Sequence, residues 1–246
     1  LVFRIEDLGE TQARALYKPF TTRRQDLTKY SNLRMYVHGE GFQARDSLRV
    51  FLRLGSDETE NYYEIEQPLY PAESEGIIDV FGNGEEFIDP TAAADYLWQT
   101  RACPGGDDPD GDGPMTLENC DESARLDLNS INILLSELNQ LKVTRDLQGA
   151  SVSERFTGTS TPEGAAPGAR LSIIGTPSIQ SVSTIVLGVR NADGGQVTPL
   201  ESVELWFNEL RVTGYDEEGG SSGFVTAQAR LADVANANAR ISFSQD

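Results

Sequence analysis

Ser202-Val203-Glu204-Leu205-Trp206-Phe207-Asn208-Glu209-Leu210-Arg211-Val212-Thr213-Gly214-Tyr215-Asp216-Glu217-Glu218-Gly219-Gly220 joins a half-buried strand to an acidic, glycine-rich exit. Val203, Leu205 and Phe207 fall on one side of a two-residue period and Glu204, Trp206 and Asn208 on the other, the alternation that buries one face of a sheet. The run from Val203 to Val212 is therefore read as a strand. The same period recurs upstream. Leu33, Met35 and Val37 alternate with Arg34, Tyr36 and His38, and Leu48, Val50, Leu52 and Leu54 alternate with Arg49, Phe51 and Arg53. Asp46 and Ser47 mark the turn between these two strands. Tyr62 to Leu69 reads as a third, closed by Pro68 and by Tyr70-Pro71, which cannot propagate a ladder. Arg170 to Ile174 and Thr184 to Arg190 are apolar and β-branched, with turn residues from Asn191 to Pro199 before the last strand.

Between Pro71 and Gln148 the alternation breaks down. Thr91 to Thr100 has the marks of a short helix, with Asp89 as cap and Pro90 at the first position. Ser130 to Val143 is a stronger helical candidate, because Ile131, Leu134, Leu135, Leu138 and Leu141 recur at three- and four-residue spacing. Thr157 to Ala169, rich in Gly, Pro, Thr and Ala, reads as a mobile loop. Six or more short strands with long excursions predict a mainly β fold, a jelly-roll-like (galactose-binding-like) two-sheet sandwich with a helical and loop insertion. The expected organisation is an extended lead-in over residues 1–29, the sandwich over 30–223 with its insertion at 71–148, and strand segments over 224–246. The predicted core is Leu33, Met35, Val37, Leu48, Val50, Leu52, Ile185, Leu187, Val203, Leu205 and Phe207.

A chain of 246 residues can bury a full core. Its formal net charge of −19 repels phosphate, which excludes nucleic acid and anionic lipid as partners. No apolar run is long enough for a membrane helix, whereas barrel strands are short and give only a weak signal. The chain opens on Leu1 with no charged-then-apolar leader, so it reads as a piece of a longer protein.

One segment carries a candidate site. Asp108, Asp110 and Asp112 stand at alternate positions before Gly113, so a tight loop can aim three carboxylates at one cation, and Cys103 and Cys120 flank it. The loop resembles the calcium loops of thrombospondin type 3 and EF-hand proteins. It departs from the EF-hand in placing Asn119 where a bidentate Glu is required, with Glu118 one place early. Calcium held by the three aspartates is one reading, and a solvated acidic loop tied at its base is the other. The two cysteines are expected to form one disulfide, as in an oxidising compartment. His38 is the only histidine and has no serine or cysteine motif beside it. G-x-S-x-G, H-E-x-x-H and phosphate-binding glycine loops are absent, so no catalytic residue is assigned and the chain is read as non-enzymatic. Tyr62, Tyr63, Trp98 and Trp206 are candidates for a sugar platform, which gives an alternative reading as a secreted carbohydrate-binding jelly roll with structural calcium.

Three segments carry a family resemblance. Tyr30-Ser31-Asn32-Leu33-Arg34-Met35-Tyr36-Val37-His38-Gly39-Glu40, then Leu52-Arg53-Leu54-Gly55-Ser56-Asp57 with Asn61-Tyr62-Tyr63-Glu64-Ile65-Glu66, then Ser202 to Gly220, resemble in the same order motifs of the SprA family. That family is the very large outer-membrane translocon of type IX secretion and gliding motility. The resemblance implies a non-enzymatic insertion domain of such a translocon, at the cell surface or in the periplasm of the outer envelope. Its implied partners are other translocon subunits and secreted cargo. It also implies that residues 224–246, which alternate small or apolar with polar residues, lead into an outer-membrane β-barrel.

Overall fold

The computed structural model describes residues 1–42, 48–71, 101–102, 126–191, 200–216, 221–231 and 235–245. The chain divides into two compact units, Leu1–Gly214 and Tyr215–Asp246. The first is a mainly β sandwich of two antiparallel sheets. One sheet has four strands in the order β1 (Val2–Leu8), β12 (Leu200–Tyr215), β3 (Tyr30–Glu40) and β8 (Ile131–Leu134). The other has six, in the order β2 (Ala13–Pro19), β11 (Thr184–Asn191), β4 (Leu48–Gly55), β5 (Tyr62–Pro68), β10 (Arg170–Ile174) and β9 (Phe156–Thr157). A two-residue ladder joins β6 (Arg101–Ala102) to β7 (Leu126–Asp127). The residues read as an extended lead-in supply β1 and β2, an edge strand of each sheet.

Register explains the core. Leu187, Leu52, Ile65 and Leu171 are directly opposed in successive strands of the six-stranded sheet, and Ile185, Leu54, Tyr63 and Ile173 form the next row. Opposed residues share a face, so each row is a continuous apolar stripe. The four-stranded sheet answers with Phe3 opposite Leu205, Ile5 opposite Val203, and Leu33 and Met35 opposite Ile133 and Ile131. Nine of the eleven predicted core residues are buried, while Ile185 and Leu187 are half-buried and packed against the cluster.

The helix begins later than its spacing predicts. Ile131 to Leu134 form β8, with Ile131 and Ile133 fully buried against β3, and α1 runs from Leu135 to Leu147. The leucine positions fit both readings, because Leu135, Leu138 and Leu141 still face inward once the helix has started. Pairing with β3 decides in favour of a strand over the first four residues, since β-branched isoleucines alternate into the core there. α1 packs against β3 and β10, one strand of each sheet.

The loop predicted to be mobile is packed. Its first residue, Thr157, belongs to β9, Ala166 and Ala169 are buried, and the Gly164 and Gly168 carbonyls accept hydrogen bonds from Asn132 and Arg49. The expected turn at Asp46-Ser47 and the expected helix at residues 91–100 lie outside the described residues.

One residue reverses the phase of β12. Glu209 has a φ of +51°, a left-handed conformation uncommon outside glycine. Before it Val203, Leu205 and Phe207 face the core, and beyond it Leu210 and Val212 do. The extra residue works as a β-bulge: it turns Arg211 outward, where its guanidinium lies 5.8 Å from the Tyr36 ring centre.

The second unit contains an antiparallel hairpin of β13 (Ser221–Leu231) and β14 (Ala235–Gln245), paired from Ser221 opposite Gln245 to Leu231 opposite Ala235. Among the described residues no helix is long and apolar enough to cross a membrane.

Candidate functional site

The Gly55-Ser56-Asp57 and Asn61-Tyr62-Tyr63-Glu64 segments build the connection between β4 and β5. The Asp57 carboxylate accepts the backbone N–H groups of Thr59, Glu60 and Asn61 at 3.0, 2.6 and 3.0 Å and the Asn61 side-chain amide at 3.1 Å. Asn61 passes the link on by accepting the Thr176 N–H at 3.1 Å. Gly55 is required by proximity, because a Cβ there would stand 2.0 Å from the Asn61 carbonyl oxygen. Tyr63 is buried and donates to the Pro177 carbonyl, and burial pushes its phenol up to about 12.

Burial works to raise the Asp57 pKa, but the four hydrogen bonds outweigh it and hold the carboxyl at about 2. A carboxylate with a depressed folded pKa stabilises the fold above its unfolded pKa and loses that contribution as pH falls through the folded value. Asp57→Asn is therefore expected to destabilise the chain by about 1–2 kcal/mol at neutral pH. The gap to the native chain in urea denaturation should close as pH falls from about 4 to about 2. A gap of constant size across that window would disprove the clamp.

The face of the six-stranded sheet turned away from the core carries an ion network. Glu64 is fully buried and is engaged by Arg53 at 2.6 Å, by Arg155, and by Arg190 at 3.7 Å. Glu66 binds Arg49 at 2.7 Å and also Arg190. Burial, together with the Arg170 and Arg190 guanidinium groups, pulls Arg49 down to about 10, so it remains a cation at neutral pH. Arg53 and Arg190 each lie 5.1 Å from the Phe51 ring centre, and Arg53 lies 4.3 Å from that of Tyr62. Phe51 in turn occupies the space left by Gly188, where a Cβ would meet its Cζ at 2.4 Å. The result is a plate of stacked rings and guanidinium groups with its carboxylates locked beneath. Its sequence signal is the other half of the alternation: Arg49, Phe51 and Arg53 share one face of their strand, and pairing sets Glu66 opposite Phe51 and Glu64 opposite Arg53 in the next.

On the outer face of the four-stranded sheet, His38 is buried, bonds Glu40 at 2.8 Å and lies 5.0 Å from the Trp206 ring. The Trp206 indole donates to Glu204 at 2.7 Å. Of the four candidate platform aromatics, Tyr62 and Tyr63 are buried, Trp206 is half-buried, and Trp98 lies outside the described residues. The three described aromatics do not form one exposed surface.

Between the sheets, at one end of the sandwich, lies a cavity of about 630 Å³. Leu33, Leu54, Ile185, Leu187, Leu210 and Val212 line it, which accounts for the half-burial of Ile185 and Leu187. Its polar lining is confined to Tyr17, Lys18, Gln25 and Arg211, with no carboxylate among them. Cys103, Asp108, Asp110, Asp112 and Cys120 lie outside the described residues. Among the described residues no three His, Cys, Asp or Glu side chains are grouped to hold a metal ion.

A protein-family model, SprA_N, described as motility related/secretion protein, matches residues 1–77 and 126–246. The acidic loop with its two cysteines falls between the matched stretches. No curated protein matches the chain.

Proposed function

The chain belongs to the SprA_N family of motility-related and secretion proteins, and from that premise we propose that it is a non-enzymatic insertion domain of an outer-membrane translocon that exports folded proteins in type IX secretion and gliding motility. The observation that carries the reading is the extent of the family match, which takes in both the sandwich and the hairpin. Strand order adds support. β1-β12-β3-β8 facing β2-β11-β4-β5, with β10 and β9 added at one edge, is the order a jelly roll generates when the chain passes back and forth between the sheets on either side of the β4–β5 pair. The hairpin strands are eleven residues each, the length a tilted transmembrane strand needs, which supports residues 224–246 as a lead into a barrel. The cavity is apolar and its walls bring no acid and base together, which favours scaffold over catalyst.

In this reading the sandwich shapes the vestibule of the channel and meets other translocon subunits or cargo, in the cell envelope. Removing residues 1–214 from the parent protein, with a flexible linker in their place, should reduce the amount of secreted cargo in the medium at least about tenfold while the parent still reaches the membrane. Undiminished export would sink the assignment.

The acidic loop belongs to the same reading as a calcium-stabilised insertion, with Asp108, Asp110 and Asp112 as ligands and a Cys103–Cys120 bond at its base. Millimolar calcium should then raise the melting temperature of the chain by several degrees, on the order of what tight binding gives by mass action. Asp110→Ala should abolish the rise, and an equal rise in that variant would remove the site.

A further inference from the structure

We infer that the open edge of β2 is a docking site where an extended segment of a protein partner, with acidic residues flanking an apolar one, adds a strand to the six-stranded sheet. β2 is the outermost strand of that sheet, and all seven of its residues are exposed, Tyr17 to 65 %. Its register with β11 is uninterrupted from Pro19 opposite Thr184 to Ala13 opposite Arg190. The Phe20 N–H bonds the Ser183 carbonyl and the Asn191 N–H bonds the Gln12 carbonyl, so the even-numbered residues direct their backbone groups at β11. Antiparallel geometry then turns the N–H and C=O of Ala15 and Tyr17 to the free edge. Arg14 folds back on the Ala13 carbonyl, and Pro19 has no N–H, so these two residues form the centre of the accessible ladder.

Side chains and charge choose the occupant. Leu16 and Lys18 share the inner face of β2 and line the apolar cavity, so an added strand would place the residue opposite Leu16 at the cavity mouth. Arg14 and Lys18 flank that position on the same face. Residues 13–24 hold four cations and no carboxylate, in a chain of net charge −19. A second copy pairing through this edge would set Arg14 and Lys18 against their own kind, which is destabilising. Lys18 and Pro19 are also devices that keep an edge from pairing with itself. An acid-x-apolar-x-acid strand meets every one of these features, with backbone bonds for affinity and alternate side chains for specificity.

This inference does not depend on the translocon reading, which is tested by cargo export, whereas strand addition is tested on the chain alone. The probe is a fluorescein-labelled heptapeptide, Thr-Glu-Thr-Leu-Thr-Glu-Thr, titrated with the 246-residue chain and followed by anisotropy. Saturable binding is expected, weakening as salt rises. Tyr17→Pro removes a free-edge donor while leaving the ladder to β11 intact, so it should keep the native urea midpoint and bind at least about tenfold more weakly. Lys18→Glu, which leaves the backbone untouched, should weaken the acidic probe and strengthen a probe with Lys in place of Glu. No saturation up to about 1 mM, equal binding by Lys18→Glu, or dimerisation of the chain through this edge would overturn the proposal.

Discussion

Replacing Glu64 with glutamine is expected to lower the unfolding free energy of the chain by about 3–5 kcal/mol, the cost of removing one partner from a buried ion cluster. Glu64 is fully buried, and three arginines converge on it. With the charge gone, Arg53, Arg155 and Arg190 face one another around a neutral amide, and their mutual repulsion is poorly screened away from water. The stacking of Arg53 and Arg190 over Phe51 depends on the same anchoring, so the damage spreads through the plate. Arg155→Gln is the informative contrast. That side chain is one-third exposed, and its loss leaves Glu64 paired with Arg53 and Arg190, so about 1 kcal/mol is expected. Urea midpoints at neutral pH decide the matter. If the two variants lose equal stability, or if Glu64→Gln loses less than about 1 kcal/mol, the network is not the support of this sheet.

Inserting one alanine between Glu209 and Leu210 should cost about 3 kcal/mol or more, although it removes no side chain and stands beside a surface ion pair of Glu209 with Arg211. The insertion leaves the bulge in place and moves every later residue of β12 to the opposite face, whereas deleting Glu209 would only restore the plain two-residue period. Leu210 and Val212 would leave the core for solvent, and Arg211 would turn from the Tyr36 ring toward the core. Glu209→Gly separates backbone from side chain. Glycine adopts the +51° φ without strain, so this variant should stay within about 1 kcal/mol of the native chain. An insertion as mild as the glycine substitution would mean that β12 tolerates either phase.

The strands themselves were legible in the sequence, because a residue that must be buried in a sheet imposes a period of two on its neighbours. That rule alone marks Leu33, Met35 and Val37, or Leu48, Val50 and Leu52, without knowledge of what they touch. It also holds the charges of the ion network, though as a pattern without a partner. Arg49 and Arg53 read as polar positions until β4 and β5 are paired, which sets Glu64 opposite Arg53 and Glu66 opposite Phe51, diagonal to Arg49. The conspicuous Gly-Ser-Asp and Asn-Tyr-Tyr-Glu segments were visible as motifs, yet only the folded turn makes Asp57 a clamp and Gly55 a steric necessity.

Tertiary structure alone settled the places where two local patterns compete or where the backbone departs from its usual conformation. Ile131 to Leu134 satisfy a helical and a strand period equally, and hydrogen bonding to β3 selected the strand. The phase of β12 beyond Phe207 turned on a single left-handed residue, Glu209, whose identity gives no warning of it. Likewise Ala13 to Pro19 read only as an extended approach, because an edge strand exposed along its length has no buried face to impose a period. Local burial writes itself into the sequence. Pairing, phase and edge arise between segments distant along the chain, and no single segment records them.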